Sequence, residues 1–448
     1  MIRLLFRKDC KGCLIRQAVI LAGGKGTRLK NISSDLPKPM VPILGKPLLQ
    51  HIIEQCAKYD FLDIHLLVSY KSEVIENFFG DGSQFCVSIT YHREEAPRGT
   101  AGALLDIAPQ LNEQFLVLYG DTYFDVELDQ FFSFHHEKGG DASLFLHPND
   151  HPCDSDLVEV DDWLKIIAIH GYPHDAQWRR NLVNAAIYII NKKALTGIYL
   201  DSDRPDIAKE LFPLMIQLGK NLYGYLSTEY IKDMGTPERL SGVEKDIYSG
   251  KVELLKQTNS KRALFLDRDG VINREVGHLS SIEKFELING VCAAIRKANQ
   301  VGLLVVVVTN QPVIARGELS EFELQEIHNK MDTLLGKNGA YIDRLYYCPH
   351  HPDKGFEKEV DVLKIDCDCR KPKIGLFLQA VKELNISLQG SWIVGDRSAD
   401  LLAGKRAGVG TILVETGFAG KDKIYNIEPD FIVDDLSSAV DLVLEHIK

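Results

Sequence analysis

Two short stretches, CPHH at 348–351 and CDCRKPKIG at 367–375, carry side chains of the type that binds zinc. These side chains are Cys348, His350, Cys367 and Cys369. Two such pairs with a loop between them suit tetrahedral Zn²⁺, and four protein ligands leave no position open for substrate. The spacing therefore predicts a structural zinc site, with His351 as the alternative to His350. Because Arg370 and Lys371 follow directly, the metal would also orient these two cations.

A glycine-rich turn follows the first apolar run of the chain, in ILAGGKGTRL. Gly23, Gly24 and Gly26 let the backbone approach a phosphate closely. Lys25 and Arg28 can neutralise a triphosphate, and the planar guanidinium of arginine can bind two oxygens at once. The spacing is neither that of a P-loop nor that of the dinucleotide-binding fingerprint. The turn alone is therefore a weak indication of phosphate binding.

Three later motifs strengthen the phosphate interpretation. Lys38 stands between two prolines in LPKPM, and the fixed φ of proline holds it on a stiff loop. RGTAGAL spans 98–104, and Asp121 and Asp233 each follow a strand-like run. Carboxylates in such positions can hold Mg²⁺ against phosphates. A nucleoside triphosphate and a divalent cation are therefore expected in the N-terminal half.

A pair of aspartates, Asp267 and Asp269 in FLDRDGVINRE, follows a strand-like run in the C-terminal half. Side chains two apart on an extended chain face the same direction. A lone Asp-x-Asp is common by chance. This one gains weight because three later elements follow it in order. They are Thr309 in LLVVVVTN, Lys371 in RKPKIG, and Asp396 with Asp400 in WIVGDRSADLLAGKRAG.

Short β-branched runs alternate with helical patterns along the chain, which predicts parallel α/β sheets. The runs end in Gly, Asp or Asn, where a strand would enter a loop, and ligands of open α/β sheets bind at those carboxyl ends. The pattern restarts near residue 262, after a polar stretch. The sequence thus predicts an N-terminal extension at 1–15, a first domain at 16–247, a linker at 248–261 and a second domain at 262–448.

Composition limits the classes of function. The chain has 448 residues, too many for one hydrophobic core, and its net charge of −11 argues against non-specific nucleic-acid binding. No apolar stretch approaches the roughly 20 residues of a membrane span, and no signal peptide is evident. A cytoplasmic protein with no membrane partner is expected, so its nine cysteines are read as thiols. The isolated pair Cys10 and Cys13 predicts an ordinary extension.

Residues 16–245 resemble the sugar-1-phosphate nucleotidyltransferase family through the glycine-rich turn, Lys38, RGTAGAL, LVLYGDTYF and YIKDMGTPERL. The resemblance implies a GT-A-like, Rossmann-like α/β fold. It also implies attack of a sugar 1-phosphate on the α-phosphorus of a nucleoside triphosphate, with release of pyrophosphate. Lys38 would neutralise the α-phosphate, and Asp121 and Asp233 would bind Mg²⁺. The residues implied in binding the nucleotide are Gly23, Gly24, Gly26, Thr27, Arg28, Gly99, Thr100 and Gly102.

The sugar site departs from the family pattern. Asn184, in NAAIYII, matches the family's sugar-contacting strand. Family members commonly carry a Glu-Lys pair shortly before it, whereas this chain reads LKIIAIHGYPHDAQWRR there and has His170 near the expected lysine. Sugar recognition is therefore expected to be altered rather than abolished.

Residues 262–448 resemble the haloacid dehalogenase superfamily, which implies a Rossmann-like core. The resemblance makes Asp267 the nucleophile that forms an aspartyl-phosphate. Asp269 would protonate the leaving alkoxide and then activate water. Thr309 and Lys371 would hold the phosphoryl oxygens, and Mg²⁺ would bind the carboxylates of Asp267 and Asp396 and the carbonyl of Asp269.

The zinc loop beside Arg370 and Lys371 resembles that of D,D-heptose 1,7-bisphosphate phosphatases, with histidinol-phosphate phosphatases as close relatives. This resemblance favours His350 over His351 as the zinc ligand. The residues implied in substrate contact are Glu275, His278, Asn310, Gln311, Arg370 and Arg397.

A heptose bisphosphate phosphatase yields the sugar 1-phosphate that the first domain would consume. The expectation is therefore a bifunctional enzyme that makes a nucleotide-activated heptose for bacterial surface glycans such as lipopolysaccharide. GTP is the expected nucleotide, because the first domain is most similar to D-glycero-D-manno-heptose 1-phosphate guanylyltransferases.

Three alternatives stay open: both enzymes acting on other sugars, a phosphatase of the histidinol-phosphate type, and a regulatory, non-catalytic N-terminal domain. The presence of Arg28, Lys38, Asp121 and Asp233 argues against the last of these. A homo-oligomer is compatible with the sequence.

Overall fold

A computed structural model of the chain describes residues 16–24, 36–94, 96–175 and 177–446. The described chain divides into two compact units. The N-terminal unit runs to Leu146 and also contains Val158–Gly171 and Asn184–Lys256. The C-terminal unit contains His147–Leu157, Tyr172–Val183 and the chain from Gln257.

The N-terminal unit is built on a nine-stranded sheet whose main path runs β10-β9-β11-β6-β1-β4-β5, with β8 joined to β11 and β12 to β8. Two further pairs, β2 with β3 and β7 with β13, form small antiparallel sheets. The strands are β1 Arg16–Leu21, β2 Pro42–Ile43, β3 Lys46–Pro47, β4 Phe61–Val68, β5 Ser88–Arg93, β6 Gln114–Tyr119, β7 Thr122–Asp125, β8 Ala142–His147, β9 Leu157–Val160, β10 Ile166–His170, β11 Val183–Asn191, β12 Leu222–Leu226 and β13 Tyr230–Asp233.

Seven α-helices belong to the described part of this unit. They are α1 Leu48–Lys58, α2 Ser72–Phe79, α3 Gly99–Ile107, α4 Leu128–Lys138, α5 Phe212–Gln217, α6 Pro237–Tyr248 and α7 Lys251–Leu254. A π-helical turn at Ile207–Leu211 precedes α5.

Strand direction in this sheet is mixed. β1 pairs in parallel with β4 and β6, and β4 with β5. β11 instead runs antiparallel to β6 and to β9. The expectation of parallel sheets is therefore only partly met in this unit, because apolar runs that are buried on both faces do not indicate strand direction.

The C-terminal unit has a six-stranded sheet, in the order β16-β15-β14-β17-β18-β19, in which every recorded pairing is parallel. Its strands are β14 Ala263–Leu266, β15 Leu304–Asn310, β16 Arg344–Cys348, β17 Trp392–Gly395, β18 Gly410–Val414 and β19 Phe431–Val433. Its helices are α8 Val291–Gln300, α9 Glu321–Gly336, α10 Gly375–Leu384, α11 Ser398–Ala407 and α12 Leu436–His446.

Both faces of this sheet are covered, which explains why its strands are continuous apolar runs. Leu264 and Leu266 of β14 point into one hydrophobic cluster with residues of α8 and α12. Phe265, on the opposite face, packs against Phe377 of α10 with ring centroids 4.7 Å apart. Because β14 pairs in parallel with β15 and β17, the carboxyl ends of these three strands meet at one edge of the sheet.

Two segments that precede Lys256 in the chain belong to the C-terminal unit, His147–Leu157 and Tyr172–Val183. The second hydrogen-bonds to α9: the Arg179 amide donates to Thr333 Oγ1 at 2.9 Å, and the Asn181 amide donates to Asp332 Oδ2 at 3.1 Å. These bonds satisfy backbone groups of a stretch without regular structure. The sequence predicted one boundary, the linker at 248–261, and did not predict that earlier segments would belong to the C-terminal unit. The domain limits expected from sequence stay a prediction.

Among the described residues, no helix has both the length and the apolar character needed to cross a membrane.

Helix α9 offers a test of the C-terminal core. Ile327 is fully buried in its hydrophobic cluster, whereas Phe322 on the same helix is 75% exposed. We expect Ile327→Ala to lower the free energy of unfolding of this unit by roughly 2–5 kcal/mol, because it leaves a cavity. Phe322→Ala, the matched control, should change it by less than about 0.5 kcal/mol. Denaturant unfolding followed by circular dichroism measures both, and equal effects would contradict the assigned packing.

Candidate active sites and metal centre

Asp267 stands at the carboxyl end of β14 and is buried. The backbone amide of Arg268 donates to its Oδ1 at 2.8 Å, and Lys371 Nζ lies 3.0 Å from the same oxygen. These contacts fix the carboxylate at the edge of the sheet. A fixed anionic oxygen beside a cation is the arrangement that nucleophilic attack on a phosphate needs.

Lys371 is held on both sides. Its Nζ also lies 2.6 Å from Oδ1 of Asp400, on α11. The side-chain amide of Asn310 exchanges two hydrogen bonds of 3.0 Å with the backbone of Lys371. Burial alone would lower the pKa of Lys371, but Asp267 and Asp400 outweigh burial and raise it, so the ammonium stays charged.

Three carboxylates, those of Asp267, Asp396 and Asp400, bring oxygens within 4.8 Å of one another. Burial, followed by the charges of Asp400 and Asp267, raises the pKa of Asp396. Oδ1 of Asp396 is buried and has no hydrogen-bond partner in the described structure. Hard oxygen ligands with concentrated negative charge suit Mg²⁺. The residues therefore fit a magnesium ion.

The loop after Asp269 reaches this cluster through Gly270. Gly270 has φ +79°, and a Cβ there would lie 2.2 Å from Asp396 Oδ2. Only glycine combines that backbone conformation with that approach. The glycine of DRDG is thus required by the position of Asp396.

Asp269 accepts hydrogen bonds from three neighbours. Asn273 Nδ2 donates to Oδ1 at 2.9 Å, and Gln311 Nε2 donates to Oδ2 at 2.9 Å. Arg268 Nη2 reaches both carboxylate oxygens, at 3.0 and 2.9 Å. Burial alone would raise the pKa of Asp269, but Arg268 and these hydrogen bonds outweigh it and lower the pKa.

Arg268, the residue between the two aspartates, is completely buried. Its Nη1 lies 3.1 Å from Nε2 of His328 on α9. Burial and the nearby Arg268 lower the pKa of His328 well below its usual value, so the imidazole is neutral and can accept this bond. Sequence reasoning placed Asp400 in a motif without assigning it a contact, and it gave no role to Arg268 or His328, whose mutual contact joins distant parts of the chain.

The remaining predicted substrate contacts lie in a group of basic side chains. Arg397 pairs with Glu275 at 3.0 Å and stacks on Phe418. His278 hydrogen-bonds to Arg316, and Arg370 donates to the His350 carbonyl at 3.3 Å. Clustered guanidinium groups suit an anionic substrate.

Two predicted substrate contacts, Asn310 and Gln311, have side chains that are already engaged by the protein. The amide of Asn310 bonds to the backbone of Lys371. Gln311 Nε2 bonds to Asp269 and, at 3.0 Å, to Oγ1 of buried Thr309. In this structure both residues position other groups of the site.

The predicted zinc ligands lie together at the end of β16 and in the loop before α10. Sγ of Cys369 is 3.2 Å from Sγ of both Cys348 and Cys367, and 3.2 Å from His350 Nδ1. All four ligand atoms lie within 4.8 Å of one another. His351 is outside the cluster and bonds to Arg316 at 3.2 Å. The donor set of three thiols and one imidazole nitrogen is compatible with tetrahedral zinc.

In the N-terminal unit, the two predicted magnesium ligands lie on adjacent segments. Asp233 closes β13, which is paired with β7, and the amide of Met234 donates to the Asp121 carbonyl at 2.9 Å. Lys38 Nζ pairs with Asp121 Oδ2 at 2.7 Å, and Arg239 pairs with Asp233. The structure thus places Lys38, Asp121 and Asp233 together, and it adds Arg239, which sequence reasoning missed.

Only part of the glycine-rich turn can be placed. Gly23 lies just after β1 and close to Ser69 and Glu94. A Cβ at Gly23 would lie 3.4 Å from the side chain of each, whereas a Cβ at Gly24 would meet open space. Gly26, Thr27 and Arg28 lie outside the described residues, as do Cys10 and Cys13.

The RGTAGAL motif begins α3. Gly99 has φ +70°, and a Cβ there would lie 2.4 Å from the Pro205 carbonyl oxygen, so the position requires glycine. Thr100 Oγ1 donates to Asp206 at 2.9 Å and accepts from the Ile207 amide. At Gly102 a Cβ would lie 3.3 Å from the side chain of Arg98. The motif therefore fixes the start of α3 against Pro205–Ile207.

Asn184 lies on β11 and is partly buried. Its amide nitrogen donates to the Tyr188 hydroxyl at 3.0 Å, and its oxygen accepts from the Ala186 amide. His170, near the position of the missing lysine, ends β10 and pairs with Glu159 at 3.1 Å.

Together, these arrangements define two enzyme classes, a phosphatase of the haloacid dehalogenase type and a nucleotidyltransferase. The chain belongs to the nucleotidyl transferase family, whose model matches residues 17–250, and in its C-terminal part to the family of D-glycero-β-D-manno-heptose-1,7-bisphosphate 7-phosphatases. A HAD-hydrolase-like model matches residues 368–439. Both resemblances found in the sequence, the two-part α/β fold and the bifunctional enzyme class are confirmed.

Two relatives illustrate the second match. The 7-phosphatase of Pasteurella multocida (strain Pm70) is 46% identical over 159 residues, 35% of this chain and 83% of the relative. That of Haemophilus ducreyi (strain 35000HP / ATCC 700724) is 46% identical over 161 residues, 36% of this chain and 86% of the relative. Among solved structures, HddC from Yersinia pseudotuberculosis complexed with GMP-PN is 26% identical, with a TM-score of 0.45, covering 52% of this chain and 99% of that one.

The separation of the two sites can be tested at Asp267. We expect Asp267→Asn to lower phosphatase turnover by more than about 10³-fold, because an amide cannot act as the nucleophile. Nucleotidyl transfer, measured with the sugar 1-phosphate supplied directly, should stay within about twofold of the wild type. Asp121→Asn, the matched control, should reverse the pattern. Loss of both activities in folded Asp267→Asn protein would refute independent sites.

The cysteine cluster predicts about one tightly bound zinc per chain. We expect Cys369→Ser to lose this zinc and to lower phosphatase activity, because Lys371 follows two residues later. Cys86→Ser, which changes an exposed free cysteine in the N-terminal unit, is the control. Elemental analysis measures the metal. Wild-type protein without zinc but with full phosphatase activity would contradict the assignment.

Proposed function

We propose that the chain removes the 7-phosphate from D-glycero-D-manno-heptose 1,7-bisphosphate and then transfers GMP from GTP to the heptose 1-phosphate, giving GDP-heptose and pyrophosphate. The observation that carries the proposal is the group of Asp267, Lys371 and Asp396 in a chain that is 46% identical over 159 residues to a 7-phosphatase. The nucleotidyl transferase family then supplies the second step on the same chain.

In the phosphatase step, Asp267 attacks phosphorus and becomes an aspartyl-phosphate, and the bond to the sugar oxygen breaks. Asp269 supplies the proton that the leaving alkoxide takes, and then accepts a proton from the water that hydrolyses the aspartyl-phosphate. Lys371 and the Thr309 hydroxyl bind the phosphoryl oxygens. Magnesium, held by the carboxylates of Asp267 and Asp396 and the carbonyl of Asp269, would offset the repulsion between the nucleophile and the phosphate.

Basic side chains around this site suit a substrate with two phosphates. Arg370 and Arg397 would bind the distal part of the bisphosphate, with Glu275 and His278 against the sugar. Zinc bound by Cys348, His350, Cys367 and Cys369 would hold the loop that carries Arg370 and Lys371. This role for zinc is structural, because four protein ligands fill its coordination sphere.

In the transferase step, an oxygen of the sugar 1-phosphate attacks the α-phosphorus and pyrophosphate leaves. Such a transfer depends on positioning and on positive charge around the phosphate oxygens. Lys38 would move from Asp121 to the α-phosphate, while Asp121 and Asp233 would hold magnesium. The nucleotide would be bound by the glycine-rich turn with Arg28 and by residues 99–102 at the start of α3. Asn184 would contact the sugar.

The identities of the nucleotide, GTP, and of the sugar, a heptose, are the most specific parts of the proposal. The choice of GTP rests on the resemblance of the first domain to heptose 1-phosphate guanylyltransferases. The cytoplasm is the proposed location, because that is where sugar phosphates and nucleoside triphosphates are available and where thiols stay reduced.

Coupled turnover tests the whole sequence of reactions. Purified protein receives either anomer of the heptose 1,7-bisphosphate, Mg²⁺ and one nucleoside triphosphate at a time, while phosphate and pyrophosphate are measured separately. We expect phosphate in every reaction and pyrophosphate with GTP. Asp267→Asn protein, given the bisphosphate, should yield neither product, since no heptose 1-phosphate forms. If phosphate appears but none of the nucleotides gives pyrophosphate, the transferase part of the proposal is rejected. If no phosphate appears, the heptose bisphosphate is rejected as the substrate of the phosphatase.

A further inference from the structure

We propose that Arg316 is a further substrate-binding residue of the phosphatase, and that its guanidinium binds the second phosphate of the substrate, the one that stays on the sugar. The inference rests on the proposed function, because it requires a substrate with two phosphates. It does not depend on the identity of the sugar.

Arg316 lies in the turn that follows β15, and this turn is fixed against the loop that joins the two halves of the cysteine cluster. The Val360 amide donates to the Ala315 carbonyl at 3.0 Å. Gly317 has φ +69°, and a Cβ there would lie 1.7 Å from the carbonyl oxygen of Lys358. Both neighbours of Arg316 are thus held in place, at the edge of the sheet where the phosphatase site lies.

The side chain of Arg316 contacts two imidazoles and one aromatic ring. Nη1 hydrogen-bonds to Nε2 of exposed His278, and Nη2 lies 3.2 Å from Nε2 of buried His351. Cζ lies 4.6 Å from the centroid of Phe356. A guanidinium has five N–H donors, so three have no partner in the described structure, the buried Nε–H among them. No carboxylate of the described chain forms an ion pair with Arg316, and an imidazole supplies no negative charge.

The other two arginines of this region differ in their partners. Arg397 is already compensated, because Glu275 pairs with it at 3.0 Å. Arg370 lies beside Arg316: its Nη1 donates to the carbonyl of His350 at 3.3 Å, and Arg316 contacts the imidazole of the next residue. Burial lowers the pKa of Arg370, and the charge of Arg316 lowers it further. Two neighbouring guanidinium groups favour an anion with two negative charges, whose oxygens their planar forks can bind in pairs.

The reacting phosphate is not a suitable ligand for this guanidinium, because Arg316 has no recorded contact with Asp267 or Lys371, which hold that phosphate. A purely structural role also explains less of the arrangement. Stacking on Phe356 fixes the plane of the guanidinium but leaves its charge uncompensated, which is unfavourable in a partly buried position. A second phosphate on the same substrate would supply the missing negative charge.

The experiment compares kcat/KM for heptose 1,7-bisphosphate and heptose 7-phosphate, with Mg²⁺, in the full-length wild type and its variants. The two substrates share the reacting phosphate and differ only in the second one. We expect Arg316→Met to lower kcat/KM about 10–100-fold for the bisphosphate and less than about threefold for the monophosphate, because only the former loses a bond between charged groups. Arg316→Lys keeps the charge without the fork and should lie between. Arg296→Met changes an exposed arginine of α8 and should leave both values unchanged.

Equal losses with both substrates would overturn the proposal and leave Arg316 with a structural role only. Unchanged values in Arg316→Met would overturn it as well. If Arg316→Met loses zinc or its circular dichroism spectrum, the comparison is made with Arg316→Lys, whose smaller loss must again be confined to the bisphosphate. A wild type that turns over both heptose phosphates equally well would reject any site for the second phosphate.

A wild type inactive with both heptose phosphates would instead reject the proposed sugar. Arg316 is then tested through inhibition of 4-nitrophenyl phosphate hydrolysis by fructose 1,6-bisphosphate and by fructose 6-phosphate. We expect the bisphosphate to inhibit the wild type more strongly than the monophosphate does, and this difference should disappear in Arg316→Met. A difference that persists in the variant would overturn the role of Arg316.

Discussion

The C-terminal unit depends on keeping several carboxylates together at one buried edge of a parallel sheet. Asp267, Asp396 and Asp400 approach within 4.8 Å, and their mutual repulsion in a poorly solvated place must be offset by cations. Lys371 supplies one between Asp267 and Asp400. The surrounding structure serves to hold that cation, since Asn310 binds its backbone and the cysteine cluster ends two residues before it.

Much of this site was predictable because its elements are local. Asp267 and Asp396 follow apolar runs that do form strands β14 and β17, and Thr309 lies near the end of β15. The contacts of Arg268 with His328 and of Asp400 with Lys371 were not predictable, because each joins distant parts of the sequence. Sequence motifs record which residues occur near a site, but they do not distinguish a group that faces the substrate from one that faces another side chain.

The N-terminal unit shows a different limit. The apolar run of β11 predicts a buried strand correctly, but its antiparallel pairing with β6 leaves no trace in the pattern. The same holds for the segments 147–157 and 172–183, which belong to the C-terminal unit. The hydrogen bonds of the second segment to α9 involve backbone amides, whose partners no side-chain pattern reveals.

Both sites share one electrostatic device, in which a lysine pairs with a carboxylate that the reaction needs. Lys38 pairs with Asp121, and Lys371 with Asp267. The two lysine–carboxylate pairs differ in how they would change during the proposed reactions. In the proposed phosphatase reaction, the negative charge of Asp267 leaves with the alkoxide when the aspartyl-phosphate forms. Lys371 would then face the phosphoryl oxygens while Asp400 still holds it in place. In the proposed single-step nucleotidyl transfer, Lys38 would instead move from Asp121 to the α-phosphate on the stiff loop at 37–39.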